Sequence, residues 1–191
     1  MRRVRAIARS ILVVGTVGLV AGAGTFAALS STAGNNGNTF AAGTVVLNDN
    51  DTGSAMWSVS NRIPGDTVTT CIRLTYTGTL SADVRLYTLS AVGTVDQYLN
   101  LTVEKGSVPG ATAFPACTGF NPESTIYSGT VQGFKNTKTG WATGVGANPG
   151  AQTRWNQNDT LAYRFTVTLQ NDTGAQGLTS TTAFTWEARN Q

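Results

Sequence analysis

Apolar and polar residues alternate with a period of two along much of the chain. In the clearest stretch, from Leu161 to Leu169, every second side chain is large and apolar or aromatic. Four other stretches show the same alternation, namely 68–76, 83–87, 99–104 and 184–189. Because successive side chains of an extended strand point to opposite faces, each stretch predicts a half-buried β-strand. After the N-terminal segment no stretch carries a sustained apolar stripe at helical spacing, which predicts an all-β protein.

Turn-forming sequences separate the alternating stretches. They combine Gly with Pro, Asn, Asp or Thr, and they occur at 48–53, 64–66, 77–78, 109–110, 149–150 and 171–174. Many short strands joined by such turns predict an antiparallel β-sandwich, jelly-roll-like in topology. The long glycine-rich stretch 133–158 is interpreted as an excursion from this sandwich and not as a linker, so a single domain is expected over residues 39–191.

Positive charge is concentrated at the N-terminus. Four of the 13 Lys and Arg residues lie within the first nine positions, which leaves 9 positive against 10 negative groups in the rest of the chain. An apolar run at 11–20 and then small residues follow, which is the order of a secretory signal peptide. We predict a signal peptide over 1–27, cleaved between Ala27 and Ala28. Cleavage after Ala23 and retention as a membrane anchor are the alternatives.

Removal of this segment changes what the chain is expected to bind and where it works. The remaining body has no Lys/Arg cluster, so no nucleic-acid partner is expected. The mature protein is expected to be secreted, extracellular or at the cell surface, where Cys71 and Cys117 can pair as a disulfide. Two separate buried thiols are the alternative. Residues 30–38 are small, polar and glycine-containing, and 28–38 are interpreted as a flexible N-terminal arm.

The chain contains no histidine, which limits its chemistry. Ser-His-Asp and Cys-His catalysis and HExxH zinc sites all need that residue. Acidic residues are few and scattered, and no phosphate loop or dinucleotide fingerprint occurs, so we predict no catalytic, cofactor-binding or metal-ligating residues. The Asx-rich stretch 48–53 superficially resembles a calcium loop but lacks the glutamate that an EF-hand needs. We interpret it as a turn and leave cation binding at Asp49 and Asp51 open.

Two of the four tryptophans are candidates for a glycan-binding surface. Trp141 and Trp155 lie in the glycine-rich excursion, where their rings could stack on sugars, and packing at one end of the sandwich is the alternative. Trp186 occupies the apolar face of its strand and is expected in the core. Glycosylation is left open at four Asn-x-Thr sequons, at Asn50, Asn100, Asn158 and Asn171.

Several motifs follow one another in the first half of the chain. The stretch 22–30, Gly-Ala-Gly-Thr-Phe-Ala-Ala-Leu-Ser, is similar to the end of signal peptides cut by the SipW-type signal peptidase. A short polar arm leads to 38–47, Asn-Thr-Phe-Ala-Ala-Gly-Thr-Val-Val-Leu. Then 64–68, Pro-Gly-Asp-Thr-Val, opens a strand that ends in Tyr-Thr-Gly-Thr-Leu at 76–80. As an ordered set these motifs resemble the TasA/camelysin family of secreted Gram-positive proteins.

This resemblance implies a secreted or surface-held jelly-roll domain whose relatives build extracellular biofilm fibres. In such fibres the N-terminal arm of one subunit completes the sheet of the next, so the expected donor residues are Ala28, Leu29, Ser30, Ser31 and Thr32. The main expected partner is a second copy of the chain. The signal peptidase during export and other matrix or cell-wall components are further expected partners.

The leading functional hypothesis is therefore a non-enzymatic extracellular structural protein that assembles by N-terminal strand donation. Camelysin itself is classed as a metalloendopeptidase, so a peptidase is the second hypothesis. The absence of histidine departs from what a zinc protease needs. A carbohydrate-binding surface adhesin that uses Trp141 and Trp155 is the third.

Overall fold

The computed structural model describes residues 30–32, 43–54, 56, 63–175, 178–179 and 182–190. Within these ranges the chain forms two antiparallel β-sheets that enclose one core, which confirms the predicted all-β sandwich. The chain crosses repeatedly between the sheets, for example from β3 to β4 and back to β5, because β3 and β5 belong to one sheet and β4 to the other. Across the described ranges, no helix is long and apolar enough to cross a membrane.

The larger sheet has five strands in the order β2-β3-β8-β5-β6. Their bounds are Leu47–Asp49 for β2, Thr67–Tyr76 for β3, Leu99–Ser107 for β5, Asn121–Thr130 for β6 and Thr160–Leu169 for β8. The most regular alternating stretch becomes β8, the central strand, paired antiparallel with β3 on one side and β5 on the other. Strand β6 was not predicted, because its side chains are exposed or half-exposed and therefore show no apolar alternation.

The smaller sheet has four strands in the order β1-β9-β4-β7. Their bounds are Ser30–Thr32 for β1, Ala82–Tyr87 for β4, Val145–Gly146 for β7 and Thr185–Asn190 for β9. Strand β9 pairs with β4 along its whole length and with β1 along its other edge. Strand β1 therefore stands at the end of this sheet, beside β9.

The core lies where the inner faces of β8 and β9 meet. Tyr163 and Phe165 of β8 pack against Trp186 of β9, with ring centroids 5.6 and 6.0 Å apart. The apolar positions of the five predicted strands are buried here almost without exception, namely Ile72, Leu74, Tyr76, Val84, Leu86, Leu99, Leu101, Val103, Leu161, Tyr163, Phe165, Val167, Leu169, Trp186 and Ala188. Period-two alternation thus identified the inner face of each strand correctly, including the core position of Trp186.

A short helix, α1 (Val131–Thr137), begins the glycine-rich stretch and was not predicted. The Thr130 side chain caps it by accepting a hydrogen bond from the Gly133 amide at 3.0 Å. Phe134 is fully buried and packs edge-to-face on Tyr127 and Phe184, at 4.8 and 5.5 Å between centroids. With seven residues and an internal glycine, the helix is too short to show a periodic stripe. Packing of Phe134 against the sheets stabilises it instead.

Cys71 of β3 and Cys117 form a disulfide, as predicted, with their Cα atoms 5.1 Å apart. The bond holds the loop 108–120 against the outer face of β3. The Cys71 amide also donates to the Pro115 carbonyl at 3.0 Å, and Arg73 Nη1 donates to the Gly110 carbonyl at 2.6 Å. Cys71 is buried on the face that alternation predicts to be wet, since this loop covers it.

Candidate assembly site at the edge of the smaller sheet

Three of the five predicted donor residues form a strand at the edge of the smaller sheet. Ser30, Ser31 and Thr32 constitute β1 and pair antiparallel with Arg189, Ala188 and Glu187 of β9, respectively. Ala28 and Leu29, like the predicted cleavage site between Ala27 and Ala28, lie outside the described residues. The described end of the arm therefore completes the sheet of its own chain.

The edge of β9 that receives β1 is held firmly by the rest of the domain. On its other edge β9 pairs with β4 over six positions, from Ala82↔Asn190 to Tyr87↔Thr185. Its inward side chains Trp186 and Ala188 are buried in the core. The receiving strand is thus anchored by both backbone pairing and apolar burial, whereas the arm contacts it through three register positions. If β1 were removed, the backbone groups of β9 on that side would become an open sheet edge.

A compact polar cluster lies on the outer face of β4 and β9, beside the arm. Glu187 is only 4% exposed, and its two oxygens accept hydrogen bonds from the Tyr87 hydroxyl at 2.9 Å and from Arg189 Nε at 2.7 Å. Burial and the hydrogen bond to the Glu187 carboxylate raise the pKa of Tyr87, so this hydroxyl stays protonated and continues to donate. The carboxylate is therefore satisfied by two charge-assisted hydrogen bonds next to the position where β1 pairs.

Trp141 lies over the same outer face. The guanidinium carbons of Arg189 and Arg85 are 4.6 and 5.3 Å from the centroid of its ring, which are cation–π distances. The side chain is half-buried, so part of the indole remains at the surface. Trp141 thus ties the glycine-rich stretch to β4 and β9, and it is the one of the two candidate glycan-binding residues that the structure leaves at the surface.

Trp155 is fully buried, and its predicted place on a glycan-binding surface is wrong. Its backbone forms a two-way bridge with Ala82 of β4, with N–H to O distances of 2.8 and 3.0 Å. Its indole Nε1 donates to the Ala147 carbonyl at 2.7 Å. The glycine-rich stretch folds back onto the edge of β4 and carries the ring into the core, the packing role that the sequence had left as the alternative.

The Asx-rich stretch forms the turn that the sequence predicted. The amide of Asp51 donates to Asp49 Oδ1 at 3.2 Å, and the amide of Gly53 donates to Asp51 Oδ1 at 2.6 Å. Burial and the neighbouring Asp51 raise the pKa of Asp49 above its usual range. Both carboxylates therefore accept hydrogen bonds within the turn, and the surroundings of Asp49 disfavour its ionised form.

The metal site that a metallopeptidase requires was tested against the donors present. The chain has no histidine, and both cysteines are joined in the disulfide. In the part of the chain that the structure describes, no three Cys, Asp or Glu side chains are grouped so that they could hold a metal ion. Catalytic zinc sites use three protein ligands drawn mainly from histidine, glutamate and cysteine. The described residues do not fit such a site.

One buried charged pair was missed by the sequence analysis. Lys135 Nζ of α1 lies 2.8 Å from Asp96 Oδ2, and both side chains are fully buried. Asp96 begins the 3-10 turn Asp96–Tyr98 that precedes β5. Lys135 comes four residues after the buried Val131 and directly after the buried Phe134, so it lies on the same apolar stripe of the helix. A lysine on such a stripe is the signal that could have identified the pair, had the helix been recognised.

Comparison with known proteins agrees with the resemblance seen in the sequence. A search of curated proteins finds no match for the chain. A family model described as camelysin metallo-endopeptidase matches residues 4–100, about half of the chain. The match spans the N-terminal segment, the arm with β1, and strands β2 to β4, and it ends at the start of β5. The chain therefore belongs to the camelysin family.

Proposed function

We propose that the protein is a non-enzymatic, extracellular structural subunit that assembles head-to-tail through its N-terminal arm. The observation that carries this proposal is the pairing of β1 with β9, because it identifies a strand of the arm and the sheet edge that fits it. The same pairing formed with the arm of a second copy would use the same hydrogen bonds. Exchange of an identical element between copies is a low-cost route to association for that reason.

The connection between β1 and β2 is long enough for such an exchange. Residues 33–46 separate the two strands, and fourteen extended residues span about 48 Å at roughly 3.4 Å each. A domain of this size has a radius of gyration of about 15 Å and is about 40 Å across. The arm can therefore leave its own β9 and reach that of a neighbouring subunit without unfolding the sandwich.

The proposed exchange is head-to-tail, which yields filaments, whereas reciprocal exchange between two copies would close a dimer. Each subunit would donate β1 from one surface and receive a neighbour's β1 at β9, so the donating and receiving surfaces differ. Contacts of this head-to-tail kind form open helical assemblies unless the rotation closes a ring. Secretion follows from the predicted signal peptide, whose removal after Ala27 would free the terminus that donates the strand.

Negative-stain electron microscopy of the protein that begins at Ala28 tests this proposal directly. A matched sample carries a bulky folded tag on the same terminus, which obstructs insertion beside β9. We expect filaments from the free terminus and monodisperse particles from the tagged protein. Monodisperse particles in both samples, over a range of concentrations, would show that the arm does not assemble the protein.

A pair of variants at the centre of β1 sharpens the test. Proline has no amide hydrogen to donate and fits poorly inside a strand, so Ser31→Pro should abolish filaments. Ser31→Thr keeps the amide and has a higher strand propensity, so it should preserve them. Because β1 also pairs with β9 of its own chain, Ser31→Pro should destabilise the monomer as well, so filament formation is compared under conditions where urea denaturation shows both variants to be folded. Equal filament formation by the two variants would contradict strand donation by β1.

The family description favours a second candidate function, a metal-dependent peptidase. Cleavage of casein that survives stringent repurification and disappears with a chelator would support it. Trp141, which retains some exposed ring surface, keeps glycan binding as a third candidate. Glycan-array binding that is lost in Trp141→Ala would support that function, whereas binding unchanged in Trp141→Ala would remove this residue from the site.

A further inference from the structure

The buried pair of Lys135 and Asp96 has contacts that ordinary ion pairs lack. Lys135 Nζ is 2.8 Å from Asp96 Oδ2 and donates to the Ala91 carbonyl at 3.0 Å. The Gly93 amide donates to the same Asp96 oxygen at 2.5 Å. The other oxygen, Asp96 Oδ1, is buried and has no hydrogen-bond partner within the described chain. Both side chains are 0% exposed, so the amine and the carboxyl are held together away from solvent.

Buried apolar residues adjoin both members of the pair along the chain. Val95 precedes Asp96 and is buried, and Val131 and Phe134 share the buried stripe of α1 with Lys135. The aromatic rings of Tyr127 and Phe184 enclose Phe134. Desolvation of two buried charges is costly, whereas an amide formed from them is neutral. The 2.8 Å contact joins Nζ directly to Oδ2, so a proton can pass between these two atoms.

We propose that Lys135 and Asp96 condense to an intramolecular isopeptide bond as the protein folds. After the proton has moved from Nζ to the carboxyl group, the lone pair of Nζ attacks Asp96 Cγ and forms the new C–N bond. One carboxyl oxygen then leaves Cγ with two protons, the one transferred earlier and a second one from Nζ. The products are one amide and one water, and no oxidant, metal or co-substrate enters the balance.

The structure supplies two of the effects that such a reaction needs. Fixed proximity replaces a bimolecular encounter, and well-oriented intramolecular reactions reach effective concentrations on the order of 10⁵ M or more. The Gly93 amide donates to Oδ2, the oxygen that receives the proton from Nζ and leaves as water, and so holds the carboxyl group in place for the attack. Burial also favours the product, because an amide is neutral and replaces two buried charges.

The bond would link the turn before β5 to helix α1 after β6. It would therefore close the β5–β6 hairpin covalently, independently of the disulfide that joins β3 to the loop between these two strands. Unlike the disulfide, it would survive reduction. The inference does not depend on fibre assembly, because the bond forms within one subunit.

Intact-mass spectrometry of the purified, reduced and denatured protein tests the inference. We expect a measured mass that is lower by one water than the mass calculated from the amino-acid sequence of the purified polypeptide. Tandem spectra of a protease digest should contain a branched peptide that joins Lys135 to Asp96. An intact mass equal to that of the sequence would overturn the proposal. So would a water loss whose spectra place it elsewhere, such as a succinimide at another Asp.

Two variants serve as controls. Lys135→Arg retains a positive charge but lacks a competent nucleophile, and Asp96→Ala lacks the electrophilic carbon, so neither should lose water. Persistence of the water loss in Lys135→Arg would show that the loss does not come from this pair. The branched peptide of the wild-type protein decides the matter even if a variant folds poorly.

Discussion

Removal of the Cys71–Cys117 bond should lower the free energy of unfolding by about 4 kcal/mol. The bond closes a loop of 46 residues in the unfolded chain. In the chain-entropy description the constraint is worth about 13 cal/mol/K, or about 4 kcal/mol at 25 °C. That amount is a large part of the total stability of about 5–15 kcal/mol that is typical of a domain.

The folded state should change little when the bond is removed. In a Cys71→Ala/Cys117→Ala double variant the loop 108–120 keeps the hydrogen bond from the amide of residue 71 to the Pro115 carbonyl. It also keeps the bond from Arg73 Nη1 to the Gly110 carbonyl. The decrease in the free energy of unfolding should therefore come from the greater conformational freedom of the unfolded chain and not from a displaced loop.

Urea denaturation of the oxidised protein and of the double variant measures this difference. The unfolded variant exposes more surface, so its m-value should also rise. Arg73→Ala in the oxidised protein is a matched control, because it removes a hydrogen bond to the same loop. It should lower the free energy of unfolding by only about 1–2 kcal/mol. A loss below about 1 kcal/mol in the double variant would refute the loop-entropy argument.

Three further predictions concern the core and the Asx turn. Trp155→Phe should lower the free energy of unfolding by about 1–3 kcal/mol in urea denaturation, because the buried Ala147 carbonyl loses the indole N–H. Phe134→Ala should lower the free energy of unfolding by about 3–5 kcal/mol in the same assay, because it removes the ring that packs on both Tyr127 and Phe184. Because the pKa of Asp49 is raised, the folded protein keeps the carboxyl proton at a pH where the unfolded chain has already lost it. Ionisation of Asp49 therefore destabilises the fold as the pH rises through the raised pKa. Asp49→Asn should therefore raise the melting temperature at neutral pH, with the gain fading toward about pH 3; an equal gain at both pH values would contradict this origin.

Strands could be predicted from the sequence where alternate residues face the same core. In β8 every second residue meets the same core, so Leu161, Tyr163 and Phe165 reveal the strand and its inner face. The prediction failed where burial arises from a distant segment. Cys71 and Glu187 lie at positions that alternation assigns to the wet face, yet both are buried, the first under the loop 108–120.

The candidate assembly site was predicted only in part. The resemblance to the camelysin family led to the arm, including Ser30, Ser31 and Thr32, but nothing in the sequence identified β9 as the strand that receives it. Recognition of that edge requires the order of strands in the sheet, which depends on pairing between residues more than 150 positions apart in the chain, such as Ser31 and Ala188. No local pattern records such a pairing.

The sequence alone determined the all-β class, the inner faces of five strands, the pairing of Cys71 with Cys117, and the family. These properties depend on local periodicity, on there being two cysteines, and on an ordered set of short motifs. The tertiary structure alone decided that Trp155 is buried while Trp141 stays at the surface, and that Lys135 meets Asp96. Each of these outcomes depends on how the stretch after β6 folds back onto the sheets, and glycine-rich chains carry little local preference that would foretell such a path.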